Sequence, residues 1–293
     1  MGRRSPRSVL LVIGVLLAAG CVTDPTAMAT PSLASPSTGT SSPTTAAAVP
    51  PSAASEPGGV YLALGDSITF GIGVSRPRED GYVAQVANAL ATAERPVSET
   101  RVFAVPGETA SGFLDRRLDD VVRAIEDAGP RVELVTIGLG ANEILRARRD
   151  AACLVDRAGD VCRAVVDAAT QVAASSLDTV VAGVQAALDA AGSEAMVLLL
   201  AYYNPDLDPL ATESVAGSDG VVGCNALEVR PGLNDRVACI AAERSVGLVD
   251  LYNAFLGRES ELTRFGSGDV HPNAAGYAVI ASAILDRIAT REP

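Results

Sequence analysis

Short continuous runs of Val, Ile, Leu and Ala recur along this chain, and longer helical patterns separate them. Such runs are typical of parallel strands that are covered on both faces. Between and after them lie amphipathic or alanine-rich stretches, and this alternation predicts a five-stranded parallel sheet between two layers of helices. The predicted strands are Val60–Leu64, Val102–Val105, Val132–Leu139, Ala195–Tyr202 and Gly247–Leu251. The predicted helices are Tyr82–Ala93, Gly112–Ala128, Val165–Ala191 (interpreted as more than one helix with a turn between), Leu233–Ser245 and Asn273–Ala289, with Asn273 as the N-cap.

Polar or small residues follow the first three predicted strands. Ser67 comes after the first strand, Gly107 after the second and Asn142 after the third. Because reactive groups in parallel sheets gather just beyond the carboxyl ends of the strands, we expect these three residues to lie close together.

The chain has one histidine, His271, in the segment Gly268-Asp269-Val270-His271-Pro272-Asn273. A serine hydroxyl is a weak nucleophile at neutral pH and needs a neighbouring base, usually an imidazole. If Ser67 in Gly65-Asp66-Ser67 is a nucleophile, His271 is therefore the base that the chain can offer. A lone histidine is otherwise as often a surface or capped residue as a catalytic one.

The first 59 residues differ in composition from the rest. Met1–Arg7 is arginine-rich, Val9–Leu17 is apolar and too short to span a bilayer, and Ala-Gly precedes Cys21, a pattern that predicts a signal peptide. It resembles a bacterial lipoprotein signal, in which Cys21 is lipidated; cleavage at an Ala-x-Ala-like site is the alternative. Residues 22–59 are rich in Pro, Ser, Thr and Ala and predict a disordered tether, which leaves 60–293 as the folded domain.

Apart from Cys21, the chain has four cysteines: Cys153, Cys162, Cys224 and Cys239. An even number in an exported chain predicts two disulfides, which could form in three pairings. We expect the sequential pairing, because it closes two short loops. A zinc site is the competing interpretation, but there is no C-x-x-C pair and the histidine is distant in sequence.

Charge and composition exclude several functions. The chain contains no lysine, so a P-loop lysine, a Schiff base and a Ser–Lys dyad are impossible. The formal net charge of -12 argues against nucleic acid as a partner. There is also no G-x-S-x-G motif of the kind that marks the nucleophile elbow of α/β-hydrolases.

Four segments together resemble the SGNH hydrolases, also called the GDSL lipase/esterase family. They are Gly65-Asp66-Ser67, Ala104-Val105-Pro106-Gly107-Glu108-Thr109, Gly138-Leu139-Gly140-Ala141-Asn142-Glu143 and Asp269-Val270-His271-Pro272. The resemblance implies a flavodoxin-like three-layer α/β/α fold with Ser67 as nucleophile and His271 as base. It also implies an oxyanion hole formed by the N–H groups of Ser67 and Gly107 and the side chain of Asn142. The alternatives are a turn glycine at Gly107 and a helix cap at Asn142.

The chain departs from the family pattern at two places: at the aspartate that orients the histidine, and in the third of the four segments. The family usually has an aspartate three residues before the histidine, where this chain has Gly268; Asp269 is only two before. Asp269 could still orient His271, a backbone carbonyl could do so instead, or Asp269 could satisfy local turn amides. Asp66 resembles a residue that braces the turn. Glu143 replaces the usual aspartate after Asn142, which we expect to alter loop bracing rather than chemistry.

Together, these patterns and the resemblance predict that the chain is an exported or surface-anchored serine hydrolase. We expect it to cleave carboxylic esters, namely lipid, acyl or acetyl-sugar esters. The expected loop disulfide between Cys153 and Cys162 is similar to one in exported esterases of the family. We expect a monomer without metal or cofactor, which contacts a membrane only through its N-terminal anchor. The alternatives are an acyltransferase of the same fold and a non-catalytic module that binds acylated ligands.

Overall fold

The computed structural model describes residues 58–93, 96–204, 209–217, 220–224 and 230–290. The predicted signal peptide, Cys21 and the tether up to residue 57 lie outside these residues. Gly59, which the sequence analysis placed at the end of the tether, is instead the first residue of a strand. The strands are β1 (Gly59–Gly65), β2 (Val97–Ala104), β3 (Val132–Gly138), β4 (Met196–Ala201) and β5 (Gly247–Asp250).

All the strand pairs are parallel, and the strands lie in the order β2-β1-β3-β4-β5. This is the flavodoxin-like order, in which the strand order reverses beside β1. The predicted five-stranded parallel sheet is therefore confirmed.

Helices connect the strands and cover both faces of the sheet. They are α1 (Ser67–Phe70), α2 (Pro77–Asp80), α3 (Tyr82–Leu90), α4 (Ala110–Arg116), α5 (Leu118–Ala128), α6 (Ala141–Ala147), α7 (Ala151–Val155), α8 (Asp160–Ala190), α9 (Pro209–Ala216), α10 (Leu233–Glu243), α11 (Leu251–Phe255), α12 (Glu259–Leu262) and α13 (Ala274–Thr290).

Alternate residues of β1 enter two separate apolar layers. Leu62 and Leu64 pack with α4, α5, α8 and α10 on one face, whereas Tyr61 and Ala63 pack with α3, α11 and α13 on the other. Successive side chains of a strand point to opposite faces, so β1 contributes apolar residues to both layers. This accounts for the continuous apolar run of β1 and for the three-layer architecture.

Three predicted elements were wrong in extent. The stretch Val165–Ala191 does not contain a turn: α8 is one helix from Asp160 to Ala190. Conversely, the predicted helix Gly112–Ala128 is divided into α4 and α5 at Arg117. Strand β2 begins at Val97, five residues before the predicted start, because exposed polar residues such as Ser98 and Thr100 interrupt the apolar run.

The structure contains the sequential pair of disulfides. Cys153 of α7 is bonded to Cys162 in the first turn of α8, and Cys224 is bonded to Cys239 of α10. Each bridge closes a short loop, with sequence separations of 9 and 15 residues. Among the described residues, no helix is long and apolar enough to cross a membrane.

Candidate active site

The first three strands in the sheet end at the same level. Gly65 at the end of β1 pairs with Ala104 of β2 on one side and with Gly138 of β3 on the other. Ser67, Gly107 and Asn142 follow these three ends by a few residues each. The aligned register therefore brings the three segments to one edge of the sheet, as parallel topology predicts.

Ser67 is the first residue of α1, directly after the strand-to-helix turn. Asp66 precedes it as the N-cap, and the Asp66 Oδ1 atom accepts a hydrogen bond of 2.9 Å from the Ile68 N–H. The Ser67 Oγ atom lies 2.8 Å from His271 Nε2, although 204 residues separate the two in sequence. A neutral imidazole with its proton on Nδ1 can accept the serine proton at this distance.

Asp269 contacts the other side of the imidazole. His271 Nδ1 donates to Asp269 Oδ1 at 2.5 Å, and the backbone N–H of His271 donates to the same oxygen at 3.1 Å. The second carboxylate oxygen lies 3.2 Å from Arg264 Nε. The spacing of two residues is thus compatible with a contact to Nδ1, because the carboxylate folds back over its own turn.

The pKa of Asp269 is shifted by opposing causes. Partial burial raises this pKa, but the hydrogen bonds from the side chain and backbone of His271 lower it, as do the charges of His271 and Arg264. The net shift is downward, so Asp269 is ionised near neutral pH and can stabilise a protonated imidazole.

The loop that carries His271 is held from two sides. The Tyr203 hydroxyl donates to the Val270 carbonyl at 2.8 Å. Gly73, after α1, packs against the loop so closely that a Cβ atom at this position would lie 2.2 Å from the Pro272 carbonyl oxygen. Gly73 also has a φ of +107°, a conformation that side chains rarely adopt. The Gly73 contact fixes the distance between the nucleophile segment and His271, and the Tyr203 contact ties the His271 loop to the end of β4.

Asn142 connects the three segments directly. Its Nδ2 atom donates to Asp66 Oδ2 at 3.2 Å and to the Glu108 carbonyl at 2.9 Å. Gly107, one residue before Glu108, has a φ of +78°, and its carbonyl accepts a hydrogen bond of 2.7 Å from Arg146. The structure therefore brings together the three segments that carry Ser67, Gly107 and Asn142, and Asn142 Nδ2 donates to residues adjacent to Ser67 and Gly107.

The Asp66 carboxyl group is buried, with 2% of its surface exposed. Burial raises its pKa to about 6, against hydrogen bonds from the Ile68 amide and the Tyr202 hydroxyl, which lower it. All three groups that contact its oxygens, including Asn142, are donors. Asp66 thus braces the turn, in the role that its resemblance to the family implies.

Glu143 and Glu108 brace the second segment. Glu143 Oε1 accepts a hydrogen bond of 3.1 Å from the Ser111 N–H at the start of α4, and burial raises the pKa of this carboxyl group. The buried Glu108 carboxylate is paired with Arg116 and Arg117. These contacts tie the Gly107 loop to α4 and α6.

Two further residues at the site were not found from the sequence. Arg264 contacts Asp269, and the Tyr202 hydroxyl donates to Asp66 Oδ2 at 2.9 Å. Tyr202 directly follows β4, so its position at the carboxyl edge was a usable signal. Arg264 had no comparable signal, because it lies in an irregular turn before Asp269.

The described residues contain no group of three or more His, Cys, Asp or Glu side chains that could hold a metal ion.

A family model, the GDSL-like lipase/acylhydrolase family, matches residues 63–279. The chain belongs to this family. The matched range includes Ser67, Gly107, Asn142 and His271, and GDSL-like enzymes act on ester bonds. This chain is accordingly an ester-bond hydrolase. No curated protein matches it significantly.

Solved structures share the fold of this GDSL-like chain. An acetylxylan esterase, Axe2 from Geobacillus stearothermophilus, has 20% sequence identity and a TM-score of 0.53, and the match covers 79% of this chain and 95% of that one. The lipase Lip_vut3 from a goat rumen metagenome has 20% identity and a TM-score of 0.52, with 78% and 97% covered. LAE5, an alpha/beta hydrolase enzyme from the metagenome of Lake Arreo, Spain, has 22% identity and a TM-score of 0.51, with 80% and 97% covered.

Proposed function

We propose that this GDSL-like hydrolase cleaves carboxylic esters through a covalent acyl-enzyme on Ser67. The observation that carries the proposal is the continuous contact from Ser67 Oγ through His271 to Asp269, at 2.8 and 2.5 Å. Nucleophile, base and orienting acid stand in the order that acyl transfer by serine requires.

In the first half-reaction, His271 Nε2 takes the Ser67 proton as Oγ forms a bond to the ester carbonyl carbon. The carbonyl oxygen becomes an oxyanion. When the tetrahedral intermediate collapses, the bond to the leaving alcohol breaks and His271 returns the proton to the alcohol oxygen. Asp269 keeps the imidazole in the tautomer with a proton on Nδ1 and stabilises the imidazolium.

The oxyanion requires donors that are aimed before the reaction begins. The N–H groups of Ser67 and Gly107 and the Nδ2 atom of Asn142 are suited to this task, because all three follow aligned strand ends. The positive φ of Gly107 supports the assignment, since it gives the loop a turn that other residues adopt at a cost. Loss of one such donor typically costs about 2.7–4 kcal/mol of transition-state stabilisation.

In the second half-reaction, a water molecule takes the place of the alcohol. His271 removes a proton from the water as it attacks the acyl carbon, and then protonates Ser67 Oγ as the acid departs. An acceptor alcohol in place of water would give acyl transfer, so product analysis in the presence of alcohols distinguishes the two outcomes.

Two of the structurally similar proteins are an acetylxylan esterase and a lipase, so the acyl groups to test extend from acetyl to longer chains. We propose that the natural substrate is an acyl or acetyl ester at the cell envelope. Kinetics on aryl esters with acetyl, butyryl and longer chains would define the length of the acyl pocket.

We further propose that the chain is exported and anchored at the cell surface through a lipid on Cys21, with residues 22–57 as a tether to the hydrolase domain. The two disulfides support an oxidising compartment. Metabolic labelling with a fatty-acid analogue tests the anchor: the wild-type chain should take up the label and Cys21→Ala should not. Equal labelling of both would overturn this part of the proposal.

The catalytic assignment is tested by turnover of a short-chain aryl ester by Ser67→Ala and His271→Ala. We expect either change to reduce kcat by about 10⁴-fold or more, because the groups act as a unit. Ser175→Ala, which changes an exposed serine of α8, is the matched control and should retain wild-type kcat. Turnover that survives Ser67→Ala would overturn the assignment, and absence of turnover in the wild type would favour a binding module.

A further inference from the structure

The end of β4 contributes a side chain to the site, beside the three segments already described. Tyr202 directly follows this strand, is 6% exposed and donates from its hydroxyl to Asp66 Oδ2 at 2.9 Å. Its backbone is clamped by the fully buried Asn234 of α10. Asn234 Oδ1 accepts from the Tyr202 N–H, and Asn234 Nδ2 donates to the Tyr202 carbonyl, both at 2.7 Å. The phenol therefore extends from a rigid point.

Asp66 Oδ2 is shared between Tyr202 and Asn142. The oxygen accepts from the Tyr202 hydroxyl at 2.9 Å and from Asn142 Nδ2 at 3.2 Å, while Oδ1 accepts from the Ile68 N–H. A carboxylate with one oxygen bonded to a helix N-terminus can still rotate about its own axis or tilt. The hydroxyl on the second oxygen removes this freedom, because it arrives from a different strand.

The position of Asp66 determines where Asn142 can point. An amide nitrogen carries two hydrogens in one plane, so a fixed acceptor for one hydrogen sets the direction of the other. For Asn142, the first hydrogen is directed to Asp66 Oδ2 and the second to the Glu108 carbonyl beside Gly107. The second hydrogen therefore points to the loop that carries the Gly107 amide, and an oxyanion held there would accept it in place of the Glu108 carbonyl.

We propose that Tyr202 is a positioning residue, which holds the Asp66 carboxylate so that Asn142 Nδ2 is aimed at the oxyanion. Tyr202 acts through two other side chains and does not touch the reacting atoms. Its effect is on the transition state, since the oxyanion exists only there, and not on the binding of the ester. Pre-orientation of this kind is the part of an active site that a supporting shell of hydrogen bonds supplies.

The inference rests on the proposed serine esterase function, and a double-mutant cycle tests it. We expect Tyr202→Phe to lower kcat by about tenfold with KM unchanged, the scale of one lost hydrogen bond to a charged group. Asn142→Ala should lower kcat by about 10²–10³-fold. If Tyr202 acts through Asn142, Tyr202→Phe has no further effect on kcat in the Asn142→Ala background.

Tyr61→Phe is the matched control, because it also removes a buried phenol hydroxyl, one that contacts Thr136 in the core. It should lower the melting temperature as Tyr202→Phe does but leave kcat unchanged. Two results would overturn the inference: an unchanged kcat in Tyr202→Phe, or an equal fall in kcat in both backgrounds. The effect of Ser67→Ala on turnover tests the catalytic function separately, so the two failures are distinguishable.

Discussion

Replacement of Asp269 by asparagine tests the orienting acid, which is the residue of the proposed catalytic group whose spacing departs from the family pattern. The change keeps the size of the side chain and leaves an oxygen that can accept from His271 Nδ1, but it removes the negative charge beside the imidazole. The imidazolium forms only during the reaction. We therefore expect Asp269→Asn to lower kcat and to leave KM within about twofold.

The size of the effect follows from the geometry. The carboxylate and imidazole are in direct contact at 2.5 Å between Oδ1 and Nδ1, so their charge centres are about 4 Å apart. At an effective dielectric constant of about 20, two unit charges at this distance interact by about 4 kcal/mol. The Asp269 side chain is 32% exposed and also pairs with Arg264, so we take half of that value. A loss of about 2 kcal/mol corresponds to about a 30-fold fall in kcat.

The assay is steady-state hydrolysis of a short-chain aryl ester by Asp269→Asn and by Asp150→Asn. Asp150 caps α7, where an asparagine can cap as well, so this control changes the same functional group without a contact to His271. Its kcat should equal that of the wild type. If Asp269→Asn retains kcat within twofold, Asp269 is not the orienting acid, and a backbone carbonyl is the alternative.

Three further predictions concern stability. Loss of the Cys153–Cys162 bridge in a double alanine variant should lower the free energy of unfolding by about 3 kcal/mol, since the bridge closes a loop of 9 residues; an unchanged urea midpoint would contradict this. Gly73→Ala should lower both the melting temperature and kcat, whereas Gly257→Ala, also at positive φ but facing open space, should lower only the melting temperature; equal kcat in both variants would refute the packing argument. The raised pKa of Asp66, about 6 against 3.8, means that the folded state binds a proton between these values that the unfolded state has released. Stability from this group should therefore decrease as the pH rises through that window, by about 3 kcal/mol relative to Asp66→Asn in urea denaturation; a pH-independent difference would contradict the shift.

The pairing of Ser67 with His271 could be predicted because it depends on rules that act along the whole chain. Parallel strands place their carboxyl ends at one edge, and a single histidine leaves one candidate base. The strands buried on both faces, such as β1 and β3, were found for a similar reason: their apolar runs are continuous. Strand β2 was located only in part, because an edge strand alternates between core and solvent.

The supporting contacts could not be predicted, because they join positions that are far apart in sequence. Tyr202 and Asp66 are separated by 136 residues, and no local pattern marks them as partners. The extent of α8 was missed for a different reason. Gly183 and the Val and Thr residues of this stretch have a lower helix propensity than its alanines, and the helix is nevertheless continuous because buried residues such as Val166 and Leu177 pack along its length.

The site at which a fluorophosphonate modifies the protein covalently identifies the nucleophile, which we propose to be Ser67. The protein is inactivated with the reagent, digested and analysed by peptide mass spectrometry. We expect one adduct per chain, on Ser67, formed in proportion to the loss of turnover and absent after His271→Ala at the same reagent concentration. Complete inactivation with the adduct on another residue, or with Ser67 unmodified, would contradict this assignment.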